Sequence, residues 1–163
     1  MKISFDLDDT LILSEKGSLY ETQLKFPFNI IFKERLRKGI IDLCEELKLL
    51  GYSISVYTTS DRSIKYIKKL FALNKIKLDK IINQKEHERV VQARRKEIMP
   101  SKVPSRFGID LHVDDDISVK QNGVQYGFNV LIINKNDNDW WKKVFSEAKR
   151  IKKLKRYYNG NKA

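Results

Sequence analysis

The sequence predicts an α/β fold, a parallel sheet of five strands with helices on both faces. Short apolar runs alternate with longer segments of helical period, the pattern of successive βαβ units. Polar clusters fall where those runs end, and in parallel sheets ligands bind beyond the carboxyl ends of the strands. At 163 residues the chain fits one domain with a sizeable core.

Each element follows from a local pattern. KISFDL (2–7) reads as a buried strand that ends in acids. Residues 35–50 place Leu36, Ile40, Leu43, Leu47 and Leu50 at steps of three and four, a helix that Gly51 stops. YSISVY (52–57) is a second strand, rich in β-branched and aromatic residues. Ile64, Ile67, Leu70 and Phe71 mark the next helix. DKIIN (79–83), GIDLHV (108–113) and FNVLII (128–133) are the third, fourth and fifth strands. Trp141, Val144, Phe145, Ala148, Ile151 and Leu154 define a terminal helix, and the adjacent Trp140 and Trp141 are expected to pack in the core. The expected layout is one domain over 1–163, with 12–34 as a flap or connector and 140–163 as a basic helix and tail.

Composition narrows the function classes. The longest apolar runs, such as VLII (130–133), fall far short of the ~20 residues that span a bilayer. An aspartate at position 6 leaves no room for a secretory apolar region, so the chain is expected to start at Met1 and to be cytoplasmic. Cys44 is the single cysteine, which excludes an internal disulfide and a cysteine-rich metal site, and its helical context predicts a buried thiol. The formal net charge is +12, yet residues 142–163 hold nine Lys or Arg against one Glu, so the tail dominates it. Such a patch can attract nucleic acid or an anionic surface, but charge alone does not choose the partner.

The acids carry the chemistry. The first strand ends in Asp6, Asp8 and Asp9, and the fourth in Asp114, Asp115 and Asp116. If these strands are neighbours, their carboxylates gather. Two like charges ~5 Å apart repel by roughly 3 kcal/mol at an effective dielectric of ~20. A cation among them, or protonation of some, relieves that cost. A few hard oxygen ligands with open positions suit Mg²⁺ better than a full Ca²⁺ cage. Acids at strand ends that merely cap helices are the plainer alternative, less fitting for two clusters on two buried strands.

FDLDDTL (5–11) resembles the DxDx[T/V] signature of the haloacid dehalogenase (HAD) superfamily, in which an apolar strand runs into two aspartates. Further motifs follow in order: a strand ending in Thr58, then Lys102 ahead of the fourth strand, then HVDDD (112–116). The resemblance runs from residue 3 to about 133 and implies a Rossmann-like three-layer sandwich. It also implies roles. Asp6 is the nucleophile that forms an aspartyl-phosphate, and Asp8 the general acid and base. Thr58 hydrogen-bonds a phosphoryl oxygen, and Lys102 offsets negative charge. Mg²⁺ is held by the Asp6 side chain, the Asp8 backbone carbonyl and Asp114, with Asp115 as a supporting or alternative ligand. Thr59 and Arg106 are the fallbacks for Thr58 and Lys102. Asp9 stands where the family often has glycine, and it is expected to face solvent or cap the following turn.

Arg62, at the start of the helix after Thr58, is a candidate anion clamp. His87 and His112 do not form a metal pair by spacing, and His112, in phase with Asp114, is expected to be packed and hydrogen-bonded. Most HAD phosphatases carry a cap. Residues 12–34 leave room for a β-hairpin flap, and 84–101 for one basic helical segment, so the resemblance implies a cap-less branch with an open site. The expected function is Mg-dependent hydrolysis of a phosphomonoester, on a small molecule or a macromolecule. A polynucleotide end-phosphatase and a non-catalytic HAD-derived regulatory domain are the alternatives. Nucleic acid is a possible partner but not the favoured one.

Overall fold

The computed structural model describes residues 1–14, 19–93 and 95–160, and side chains as far as 158. Parts of three expected segments therefore lie outside the described residues: 15–18 of the connector, Arg94 of the basic segment and 161–163 of the tail.

Five strands form the sheet: β1 (Lys2–Phe5), β2 (Ser53–Tyr57), β3 (Lys80–Ile82), β4 (Leu111–Asp114) and β5 (Val130–Ile132). All pairings are parallel, and the order is β3-β2-β1-β4-β5. Phe5 stands beside Val56 on one side and Val113 on the other. The chain thus builds outward from β1 in both directions, and the gap between β1 and β4 is the switch point where open α/β sheets bind ligands.

Period-two alternation sorts the strand residues into two layers. Ile3, Phe5, Ile54, Val56, Leu111 and Val113 join one large core with residues of three helices. These are α2 (Ile40–Leu49), α3 (Ile64–Leu73) and α6 (Trp140–Gly160). Ser4, Ser55 and His112 alternate to the other face, where they are buried. A smaller cluster of Val91, Val103, Val119 and Phe128 lies apart from the large core. It draws Val119 from α5 (Ile117–Tyr126) and Val91 and Val103 from the segment between β3 and β4. Where one basic helical segment is expected within 84–101, the chain forms α4 (Gln84–His87) running into a π-helical turn at 88–92, and a 3₁₀ turn at 104–107 follows. Right-handed crossovers account for the layering, since α2 and α3 step one way across the sheet and α5 steps the other.

Helix ends obey local chemistry. Ser63 caps α3 by accepting from Tyr66 N, and Asp116 caps α5 by accepting from Ser118 N. Helix α2 starts at Ile40, five residues later than its periodicity suggests, because Gly39 takes φ +90°. A Cβ at Gly39 would also stand 2.7 Å from the Trp141 ring. Trp140 is fully buried and Trp141 partly so, as expected of the pair. Cys44 is buried, and burial pushes its thiol up to about 12.

Between β1 and α2 the described residues hold no hairpin. They carry a one-turn helix, α1 (Phe28–Ile31), and an isolated antiparallel bridge from Tyr20 to Arg37. Arg37 is buried and donates to the carbonyls of Thr10, Asn134, Lys135 and Asp137. It thereby ties the loop after β1 to the loop after β5. Burial lowers the guanidinium to about 10, so it stays charged at neutral pH.

Helix α5 packs close enough to β5 to require a glycine. A Cβ at Gly123 would lie 2.7 Å from the Phe128 carbonyl oxygen and 3.2 Å from Val130 Cγ2. Gly123→Ala should cost about 1–3 kcal/mol through overpacking, despite alanine's better helix propensity. Urea denaturation checks this, and an unchanged or raised midpoint would mean that the helix can move aside.

Candidate active site

Asp6 continues β1 beyond its last paired residue, and its backbone N–H donates to Val113 O at 2.8 Å. This contact sets Asp6 beside the end of β4, where Asp114 is the last strand residue. Asp6 is 7% exposed and Asp114 is fully buried. Lys102, itself buried, reaches both, 2.6 Å from Asp6 Oδ1 and 2.8 Å from Asp114 Oδ2. Its place follows from Pro104 and the 3₁₀ turn, which hold the approach to β4 under the sheet's end. Arg106, the fallback, is exposed.

Three carboxylates, those of Asp6, Asp114 and Asp115, bring one oxygen each within 4.8 Å of one another. Such a set of hard oxygen donors fits a magnesium ion, with coordination positions left for water and a phosphoryl group. Asp115 also accepts from Thr10 Oγ1 at 3.0 Å, so the threonine of the first motif orients the second acidic cluster. Asp8 lies outside this carboxylate group. Its side chain is half exposed and pairs with Arg62 Nη1 at 2.7 Å. The atom that the resemblance assigns to the metal is its backbone carbonyl, so this orientation leaves that role intact.

Charge balance explains the protonation of the cluster. Burial pushes Asp6 up to about 7; Lys102 pulls it down and Asp114 adds to the rise. Burial also acts to raise Asp114, but a hydrogen bond from His112 and the charge of Lys102 outweigh it and hold Asp114 at about 2. Burial would lower Lys102, yet the two carboxylates keep it above its usual value. One ammonium thus satisfies one carboxylate, and Asp6 is left in excess. Asp115 is raised too, by burial first.

Beneath Asp114 runs a buried relay. His112 Nε2 lies 2.9 Å from Asp114 Oδ2, and His112 Nδ1 lies 2.8 Å from Ser4 Oγ. Burial lowers the imidazole, so the ring is neutral. It then donates from Nε2 to the carboxylate and accepts from the serine. The expectation of a packed, hydrogen-bonded His112 holds, and its partner is a member of the site. His87 is buried elsewhere, with Nδ1 2.5 Å from the Tyr57 hydroxyl.

Thr58 follows β2 and is buried, while Thr59 is exposed, as strand alternation requires of one of the two. Thr58 Oγ1 accepts from Ser60 N at 3.0 Å, a turn that fixes the loop toward Arg62. Arg62 holds Glu34 through Nε at 2.8 Å as well as Asp8. Together with Tyr20 and Lys33 these residues line a cavity of about 510 Å³ beside Asp8. A cavity of about 560 Å³ around Arg37 and Trp141 includes none of the clustered carboxylates. Asp9 has φ +53°, a conformation in which glycine is at ease and Asp is tolerated, and it accepts from Ser14 Oγ at 2.6 Å.

Glu34 and Ser4 were not legible as site residues. Glu34 lies in the connector, and only the tertiary fold brings it to Arg62. Ser4 had one available signal, its in-phase position on β1 two residues before Asp6.

An all-parallel sheet with acids at the ends of β1 and β4 and a lysine between them defines the class: this is a HAD-like α/β fold. The HAD domain of effector protein Lem4 from Legionella pneumophila is similar, with a TM-score of 0.52 at 16% identity over 90% of this chain and 92% of that one. A HAD-superfamily hydrolase from Ehrlichia chaffeensis is similar with a TM-score of 0.54, at 12% identity over 92% of this chain and 96% of the other. No protein-family model matches the chain, and no curated protein matches it significantly.

Proposed function

We propose that the chain is a cap-less, magnesium-dependent phosphohydrolase that uses Asp6 as its nucleophile. The observation that carries this reading is the buried Asp6–Lys102–Asp114 arrangement at the switch point, with Asp115 completing three carboxylates within 4.8 Å. Asp6, Asp114, Asp115 and the Asp8 carbonyl would hold the ion. When bound, magnesium supplies charge neutralisation to the phosphoryl oxygens and a fixed orientation for them.

The remaining work falls to the chain itself. An oxygen of Asp6 bonds to phosphorus as the bond from phosphorus to the leaving oxygen breaks, and Asp8 gives that oxygen its proton. Asp8 then takes a proton from a water, whose oxygen attacks phosphorus and releases Asp6. Lys102 stays between Asp6 and Asp114, so the charge it balances is in place before reaction. Thr58 donates to a phosphoryl oxygen. The Arg62–Asp8 ion pair holds the acid at the rim, where an arriving anion would meet Arg62. Hydrolysis of a panel of phosphomonoesters and phosphorylated oligonucleotides in Mg²⁺ tests this reading; no turnover on any class would favour the regulatory-domain alternative.

Geometry weighs against the polynucleotide reading. Helix α6 begins near the loop after β5 and runs down the sheet. Tyr52 donates to Ala148 O, Lys152 to Leu50 O, and Lys155 pairs with Asp110, which precedes β4. Its basic end therefore sits at the edge of the sheet opposite the carboxylates. Changing Lys149, Lys152, Lys153, Lys155 and Arg156 to Gln should leave turnover within about twofold and shift stability little, because exposed pairs contribute little. Loss of salt-sensitive oligonucleotide binding together with activity would instead promote the nucleic-acid reading.

A further inference from the structure

Around α1 the connector between β1 and α2 turns four apolar residues outward. Phe26 is 78% exposed, Ile30 61%, Ile31 62% and Phe28 43%, and α1 buries none of its residues. An apolar group of this kind marks an interaction surface. Lys25 and Lys33 flank it and are exposed, and the stretch from Thr22 to Lys33 contains no acid. The segment rests on α3 where Phe32 packs against Tyr66 at 5.0 Å, and exposed Lys69 lies one turn along that helix.

We propose that this face docks on an anionic lipid surface, with Phe26, Phe28, Ile30 and Ile31 entering the headgroup boundary and Lys25, Lys33 and Lys69 meeting the lipid phosphates. Aromatic and branched apolar side chains flanked by exposed lysines match the two forces that hold peripheral proteins, apolar insertion and attraction to anionic lipid. Lysine stems can lie along the apolar surface while their ammonium groups reach the phosphates. A second copy of the chain is a poorer occupant, because it would bring Lys25 and Lys33 against their own counterparts. The face adjoins the candidate site, since Glu34, three residues past Ile31, pairs with Arg62, and Arg62 with Asp8. The docking itself does not depend on the hydrolase reading.

Cosedimentation of the full chain with vesicles tests the proposal without any turnover. Vesicles of phosphatidylcholine with about 30% phosphatidylserine should retain the protein, and pure phosphatidylcholine should retain far less at ~0.15 M salt. Phe26→Ser/Ile30→Ser/Ile31→Ser should reduce the bound fraction at least about tenfold, and Lys25→Gln/Lys33→Gln/Lys69→Gln should do so mainly at low salt. Every substituted side chain is exposed, so melting temperatures should match wild type and separate docking from folding. Retention unaffected by both variants but lost on neutralising the α6 lysines would overturn the proposal in favour of the tail. Absence of binding, or self-association by sedimentation velocity that the apolar variant abolishes, would overturn it as well.

Discussion

Asp6→Asn should lower turnover by at least about 10³-fold, the scale of effect seen when a covalent nucleophile is removed. A carboxamide is a poor nucleophile and cannot form the acyl phosphate that a carboxylate forms, so no compensating route exists through the same residue. The substitution should not unfold the protein. Lys102 is shared between Asp6 and Asp114, and without the Asp6 charge it pairs one-to-one with Asp114 at 2.8 Å. The metal-free variant should therefore melt at or above the wild-type temperature at neutral pH. Beryllofluoride, which mimics a phosphoryl group on a carboxylate, gives a second readout. It should raise the melting temperature of the wild type and leave Asp6→Asn unmoved. A folded Asp6→Asn protein with wild-type turnover would falsify the covalent mechanism.

Much of the candidate site is legible in the sequence. The five strands announce themselves as short runs rich in β-branched and aromatic residues, and the acids follow two of them. Whether the two acidic ends meet depends on strand order, and the parallel pairing of β1 with β4 supplies that meeting. Lys102 is set apart from the many basic residues by its proline-bounded approach to β4, and it is buried between Asp6 and Asp114. Helix α5 was not legible. Its sequence, ISVKQNGVQY, buries Val119 and Gly123 alone, so it carries almost no apolar periodicity. The one-turn helix α1 in the connector was not legible either. LKFPFNII has strand-like composition, but Phe26, Phe28, Ile30 and Ile31 are exposed and no strand is formed by these residues. The Arg62–Glu34 pair joins residues 28 positions apart, and nothing local in either segment signals it.

Magnesium should raise the melting temperature, and by more at about pH 7.5 than at about pH 5, because protons and the cation compete for the same carboxylates. The sign follows from Asp6. Its ordinary value is 3.8 and burial lifts it to about 7, so between these values the folded, metal-free chain holds a proton that the unfolded chain has released. Stability without metal must then fall as pH rises through that window. Asp114 behaves oppositely: held at about 2, it contributes stability above its ordinary 3.8 that is lost as pH falls through its folded value. The two together place the metal-free optimum of this cluster in the acidic range between them. A divalent cation binds the ionised form, so it restores at neutral pH what Asp6 withdraws. At a concentration of 100 times Kd the gain is about 2.7 kcal/mol. For a domain of this size that is roughly 5–10 °C. Asp114→Asn should abolish most of the increment, but it also disturbs Lys102 and His112 in a buried network. Asp115→Asn is the cleaner probe, since Asp115 is only partly buried and its described partner is Thr10. It should leave the metal-free melting temperature near wild type and still shrink the magnesium increment by more than half. A pH-independent increment, or none in the wild type, would remove the metal from this site and leave Lys102 as its sole counter-charge.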